Sequence, residues 1–207
     1  MTPPMEDLVN ELFDSKLTKE GLVLIGSEDL LDLRAEGHSI IDFFDHLSKS
    51  YNYLLHGSPK EFTTPIKPIK LQRGSRQFKK YCSNSATFAT PFGSMAIAKA
   101  VLSNEHSGLN YEWWIRNPLT IDISNLTEDT VQETGFVYLI NGRSNFTNGS
   151  HYLSSDQVKG KDLARCVEWV RTDGKPTPFS ARVEVSKEDL LQYHNIVDVS
   201  TGERISE

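Results

Sequence analysis

The stretch "ATFATPFGSMAIAKAVL", residues 86–102, changes character halfway. "ATFAT" reads as a short strand. "GSMAIAKAVL" reads as a helix, and its small residues Ala96, Ala98 and Ala100 allow it to lie close against a sheet. Helical patterns otherwise precede this stretch and strand patterns follow it. Helices first, then strands with one helix between them, predict an α+β fold in a single domain.

Working outward from there, "EDLVNELF" (6–13) puts Leu8, Leu12 and Phe13 on one face of an amphipathic helix. "GLVLIG" follows as an apolar strand. Ser27 is placed to cap "SEDLLDLRAE", with Glu28 and Asp29 in its first turn. "SIIDFFDHLSKS" buries Ile40, Ile41, Phe43, Phe44 and Leu47 and sets His46 on the polar side. Residues 1–48 form an N-terminal helical segment, expected to belong to the same domain as residues 49–207. Prolines and basic residues between 58 and 80 predict an irregular loop. "YEWWIRNPLTIDIS" reads as strand broken near Pro118, and "GFVYLI" as a clean apolar strand. Residues 141–164 read as irregular, "RCVEWVRT" and "FSARVEV" as strands, and "SKEDLL" as a short helix capped by Ser186.

The 207 residues carry a net charge of −6, unevenly spread. Residues 62–104 hold seven Lys/Arg (Lys67, Lys70, Arg73, Arg76, Lys79, Lys80, Lys99) and no acidic residue, while both flanking regions are acidic. A polyanion would have to meet that central block; the alternative is a solvated loop whose charges share a sign. No run approaches the roughly 18 apolar residues that span a bilayer. The acidic N-terminus lacks the pattern of a secretion signal, and Cys82 and Cys166 have neither metal nor redox spacing, which suits a cytoplasmic protein. The glycosylation-like triplets at Asn125, Asn145 and Asn148 are then chance matches. The six histidines show no metal-ligand spacing. Glycine-rich phosphate loops, a Gly-x-Ser-x-Gly elbow and a His-Glu-x-x-His helix are all absent from the sequence.

Three strand-edge features carry candidate chemistry. In "YLLHGSP" a strand ends on His56, Gly57 and Ser58. An imidazole there can meet a hydroxyl, and glycine lets a flat ligand approach the backbone; a histidine satisfied at a turn is the plainer reading. In "TFAT" Phe88 is either core or a pocket wall with Thr87 and Thr90 beside it. In "VEWV" Glu168 either faces solvent, in alternation with Val167 and Trp169, or shares a cleft with His56.

Taken in order, these features resemble the ADP-ribosyltransferase superfamily, in its diphtheria-toxin-like and poly(ADP-ribose)-polymerase-like branch. "LLHGS" is similar to the family's first motif, "TFAT…SMAIAKA" to its second and "VEWV" to its third. The likeness spans residues 50–192 in order and about fifteen positions in close match. It implies split antiparallel β-sheets and NAD as a substrate, without a metal. His56 would hold a ribose hydroxyl, Gly57 would take the nicotinamide carboxamide through its backbone, and Ser58 would support that pocket. Phe88 (or Thr87, one residue earlier) would take the aromatic position beside nicotinamide, with Thr90 nearby. Glu168 would stabilise the cationic ribose as nicotinamide leaves. The family's usual tyrosine at the second motif is missing, as is the second tyrosine of the following helix, so Tyr53 or Phe92 is the available replacement.

The acceptor implied is a macromolecule, with nucleic acid ahead of protein because Arg73, Arg76, Lys159, Lys161 and Arg165 flank the motifs. An intracellular toxin or phage-defence effector, with an antitoxin as a partner, would fit such an enzyme. Two alternatives stand beside it. One is an RNA 2′-phosphotransferase-like enzyme that also consumes NAD and would use Arg73 and Arg76. The other is an interaction module in which His56 and Glu168 are structural.

Overall fold

Burial of one apolar stripe after another organises the N-terminal third. The computed structural model describes residues 4–69, 85–102, 113–117, 120–123, 131–148, 169–192, 195–198, 201–202 and 204–205. Helix α1 (Met5–Lys16) buries Val9 and packs Met5, Leu8, Leu12 and Phe13 against the main core. Strand β1 (Val23–Ile25) follows. The chain then makes a 3₁₀ turn (Glu28–Leu30) running into a five-residue helix, α2 (Leu31–Ala35). Ser27 does not cap this segment: it is itself in helical conformation and its hydroxyl takes no capping bond. The Asp29 carboxylate accepts from the Gly26 amide at 2.8 Å instead, because a tight 3₁₀ start brings that side chain back over the turn. In α3 (Ile40–Ser50) the Ser39 hydroxyl accepts from the Asp42 amide at 2.8 Å, and Ile40, Phe43, Phe44 and Leu47 are fully buried. His46 shares the face of α3 that carries Asp42 and Ser50 and is half-buried there, with its ring T-shaped to Tyr51.

Four strands make the main sheet, in the order β1, β9 (Ala181–Ser186), β6 (Thr134–Asn141), β2 (Tyr53–Ser58). A second sheet holds β3 (Thr87–Ala89), β8 (Trp169–Arg171) and β7 (Thr147–Asn148) in the order β3, β8, β7. A third runs β11 (Arg204–Ile205), β10 (Asn195–Asp198), β5 (Thr120–Ile123), β4 (Trp113–Asn117). The architecture is α+β, as the order of patterns predicts. Two of the three sheets are mixed rather than antiparallel throughout, as β1 lies parallel to β9 and β5 parallel to β10, while the β3–β8–β7 sheet is antiparallel. Strands β4 and β5 pair antiparallel; Pro118, where the sequence predicts a break, lies outside the described residues.

Alternation along β2 and β6 creates two apolar layers, one on each face of the main sheet. Leu55, Val137 and Leu139 face the core shared with α1 to α3 and with helix α4 (Gly93–Val101). Leu54, Tyr138 and Ile140 face a smaller layer with Ile66, Ala89 and Phe146. The N-terminal helical segment therefore shares its core with β2, β6 and β9; a boundary at residue 48 falls inside α3.

Helix α4 lies on the sheet at van der Waals contact because two glycines make room for it. A Cβ on Gly57 would run into the Ala96 carbonyl and come within 2.8 Å of the Ala100 nitrogen; one on Gly135 would run into the Ala100 carbonyl. The alanines supply the helix half of this fit. The N-terminus of α4 is anchored from α3, where Asp45 accepts from the Gly93 amide at 2.7 Å. Helix α5 (Lys187–Leu191) carries the expected Ser186 cap as a reciprocal capping box with Asp189. Asp189 is only 2% exposed, and Arg34 on α2 donates to it at 2.6 and 3.2 Å.

The part of the 58–80 segment that is described, residues 59–69, is held rather than loose. Ile66 exchanges backbone bonds with Thr177, and Ile69 with Ala86. The Tyr138 hydroxyl accepts from the Phe62 amide at 2.6 Å and donates to the Lys60 carbonyl at 2.9 Å, so this segment straps across the second layer. Burial pushes that phenol up to about 12, which keeps it a donor. In the segment 141–164, expected to be irregular, Thr147–Asn148 form β7. Among the described residues no helix is long and apolar enough to cross a membrane.

Candidate functional site

The edge of β2 is where the candidate residues meet. Leu55 donates its amide to the Thr90 carbonyl and accepts from the Thr90 amide, both at 2.8 Å, so β2 and the end of β3 are paired at that point. In an antiparallel ladder the next such pair lies two residues on, which here is Gly57 opposite Phe88. The pairing stops before it. The Phe88 carbonyl instead accepts from Nδ1 of His56 at 2.6 Å. Gly57 lies opposite Val137 in the register with β6, in step with the Leu55–Leu139 pair. Its amide and carbonyl consequently point away from β6, towards the gap where β2 and β3 separate.

His56 is fixed in one tautomer by this arrangement. A carbonyl oxygen has no proton to give, so Nδ1 carries the hydrogen and Nε2 keeps a lone pair. The ring lies 6.2 Å from the rings of both Phe62 and Tyr138, on the face that Leu54 also occupies. Burial in these apolar surroundings drives its pKa down to about 4; the Phe88 carbonyl works in the opposite direction, and the charge of Lys99 adds to the lowering. At neutral pH His56 is a neutral acceptor.

The other sequence-predicted positions divide clearly. Phe88 is half-buried and turns to the α4 side, where the ammonium of Lys99 lies 5.9 Å from its ring centroid. Thr87 and Ala89, its neighbours in β3, turn to the opposite face and are buried. That places Phe88, not Thr87, beside Gly57. The hydroxyls of the set have partners within the protein: the Thr177 hydroxyl donates to Thr87 Oγ1 at 3.3 Å, Thr90 Oγ1 accepts from the Phe92 amide at 3.2 Å, and Ser58 Oγ accepts from the Lys60 amide at 3.1 Å. Of the two replacement aromatics, Tyr53 packs against the main core and Phe92 is exposed. The glycine at 57 has its origin in helix packing, since the missing Cβ points at α4; a flat ligand reaches its backbone in the plane of the sheet, from the open edge.

Glu168, Arg73, Arg76, Lys159, Lys161 and Arg165 lie outside the described residues, as do Cys82 and Cys166. Trp169, the first residue of β8, pairs with Ala89 and packs in the same layer as Leu54 and Tyr138, with the Arg143 guanidinium 5.2 Å over its ring. The start of β8 thus adjoins the end of β3 that bridges to β2. Among the described residues no group of three or more His, Cys, Asp or Glu side chains converges to hold a metal ion.

Sequence reasoning missed three members of this neighbourhood. Tyr138 faces His56 through strand register, which a sequence does not display. Phe62 arrives on a strap read as an irregular loop. Lys99 had a visible signal, being the only charged residue in the helix "GSMAIAKAV", and was counted solely as part of the basic block. No family model matches the chain, and neither a curated protein nor a solved structure does.

Proposed function

We propose that the chain is an NAD-dependent ADP-ribosyltransferase with the split-sheet fold of that superfamily, acting on a macromolecular acceptor, with nucleic acid favoured over protein. One observation carries the reading: β2 and β3 part between Leu55–Thr90 and Gly57–Phe88. A strand edge opened in this way offers an amide donor and a carbonyl acceptor side by side, complementary to a carboxamide. Phe88 lies beside that edge as a stacking surface, and the neutral Nε2 of His56 supplies an acceptor for a ribose hydroxyl.

In the proposed reaction the bond between ribose C1′ and the nicotinamide nitrogen breaks, and its electron pair stays with the ring, which leaves as neutral nicotinamide. The cationic ribose is stabilised by the Glu168 carboxylate. An acceptor oxygen or nitrogen then bonds to C1′ and gives up its proton to solvent water. The protein binds and orients at Gly57, Phe88 and His56, and Glu168 supplies the charge. The basic residues Arg73, Arg76, Lys159, Lys161 and Arg165 would carry the phosphates of a nucleic-acid acceptor. A cytoplasmic toxin or phage-defence role follows from this reading.

The test incubates the purified chain with labelled NAD and separate pools of RNA, DNA and cell protein. Label in one pool that is lost in Glu168→Ala supports the reading and names the acceptor. Failure to bind NAD at millimolar concentration refutes it. A non-catalytic interaction module is the second reading, supported by the internal partners of Ser58, Thr87 and Thr90 and by the structural bond of His56 to Phe88. It predicts a protein that folds normally and leaves NAD untouched.

A further inference from the structure

Helix α4 presents its single charge to the candidate edge. The Lys99 Cβ lies 2.9 Å from where a Gly57 Cβ would be, and its ammonium sits over the Phe88 ring. A planar group that stacks on Phe88 while pairing with the Gly57 backbone therefore takes a place next to that ammonium, the four-carbon arm swinging aside to admit it. The same charge is felt at His56, whose protonation it opposes.

Resting on the ADP-ribosyltransferase reading, we infer that Lys99 is the charge-discriminating residue of this edge: it disfavours the cationic nicotinamide ring of bound NAD⁺ and is indifferent to the neutral nicotinamide that leaves. The ring nitrogen of NAD⁺ carries a positive charge until the C1′–N bond breaks. The electron pair of that bond then neutralises the ring, and the charge moves to the ribose. An ammonium beside the ring raises the energy of the bound reactant more than that of the separating products, so it promotes expulsion of nicotinamide at the expense of NAD⁺ affinity. The plainer role, a cation in the last turn of a helix complementing its dipole, concerns stability and makes no distinction between ring charges.

NADH separates the two roles, because its dihydronicotinamide ring is neutral while the rest of the molecule is unchanged. The full chain, Lys99→Met and Lys99→Arg are titrated calorimetrically with NAD⁺ and with NADH. Lys99→Met is expected to tighten NAD⁺ by about tenfold and NADH by less than about twofold. Lys99→Arg is expected to keep the wild-type ratio. Single-turnover nicotinamide release should slow in Lys99→Met although NAD⁺ binds better. Equal shifts for the two nucleotides, or none, overturn the assignment of Lys99 and leave the NAD reading standing. If the wild-type chain binds neither nucleotide, both readings fall.

Discussion

His56 ties a measurable pH dependence to the geometry of the β2 edge. Its imidazole titrates at about 4 in the folded protein against an ordinary value of 6.5, chiefly because it is desolvated, with the Lys99 charge adding to the effect. The unfolded chain therefore takes up a proton at His56 as pH falls through 6.5, while the folded chain resists until about 4. The neutral ring costs nothing above about pH 7; stability is lost progressively below 6.5, and the loss is complete below the folded pKa. A gap of about 2.5 units corresponds to about 3 kcal/mol in full, of which about 2 kcal/mol is gone by about pH 5. These are upper bounds, because His56 is half-buried as a residue and solvent screens part of the effect. His56→Asn places an amide N–H where Nδ1–H stands, so the bond to the Phe88 carbonyl survives and the titration disappears. Urea unfolding of both proteins at about pH 7.5 and about pH 5 isolates the term, since the carboxylates titrate alike in each. The wild type should lose about 2 kcal/mol more than the variant. Equal losses, or a His56 pKa near the ordinary value by NMR, would refute the buried, carbonyl-held imidazole.

Other perturbations test the packing that builds the edge. Gly57→Ala should cost about 3 kcal/mol or more by thermal or chemical melting, because the methyl meets the backbone of α4 rather than a flexible side chain. Gly142→Ala, in open space but at φ +71°, should cost only about 1 kcal/mol. Tyr138→Phe removes the two bonds between its hydroxyl and the 59–69 strap; a loss of about 1–3 kcal/mol and faster hydrogen exchange at the Phe62 amide are expected. Arg34→Met strands the buried Asp189 carboxylate with only its capping bonds, and should destabilise by about 3 kcal/mol, most visibly at α5.

Local pattern and long-range pairing contributed unequally to what the sequence reveals. The α4 helix, the apolar faces of α1 and α3 and the Ser186 cap are legible because each is a periodicity or a contact within four residues. The Ser27 cap failed on a neighbouring choice, Asp29 being able to reach the same turn. The mixed sheets were invisible, since β1 pairs parallel with β9, more than 150 residues away in sequence, and three apolar residues in a row do not specify a partner. At the edge itself, His56, Gly57 and Phe88 were singled out by motif, and in the structure the His56 ring meets the Phe88 carbonyl. Lys99 and Tyr138 were not, because each enters through a fold-level contact: one from a helix crossing the strand, the other from the strand paired beside it.

Gly57 is pressed onto the backbone of α4, so β2 has no room for a side chain at this position on the face that the helix covers. The Phe88 carbonyl, which would otherwise bond to the Gly57 amide, is already taken by His56 at 2.6 Å. One polar contact thus stands where the ladder pair Gly57–Phe88 would form. An opening maintained in this way does not depend on a ligand to form. A structural histidine and a binding edge are accordingly not competing explanations: the bond that satisfies Nδ1 of His56 occupies the Phe88 carbonyl that the Gly57 amide would otherwise meet, and it leaves Nε2 with its lone pair.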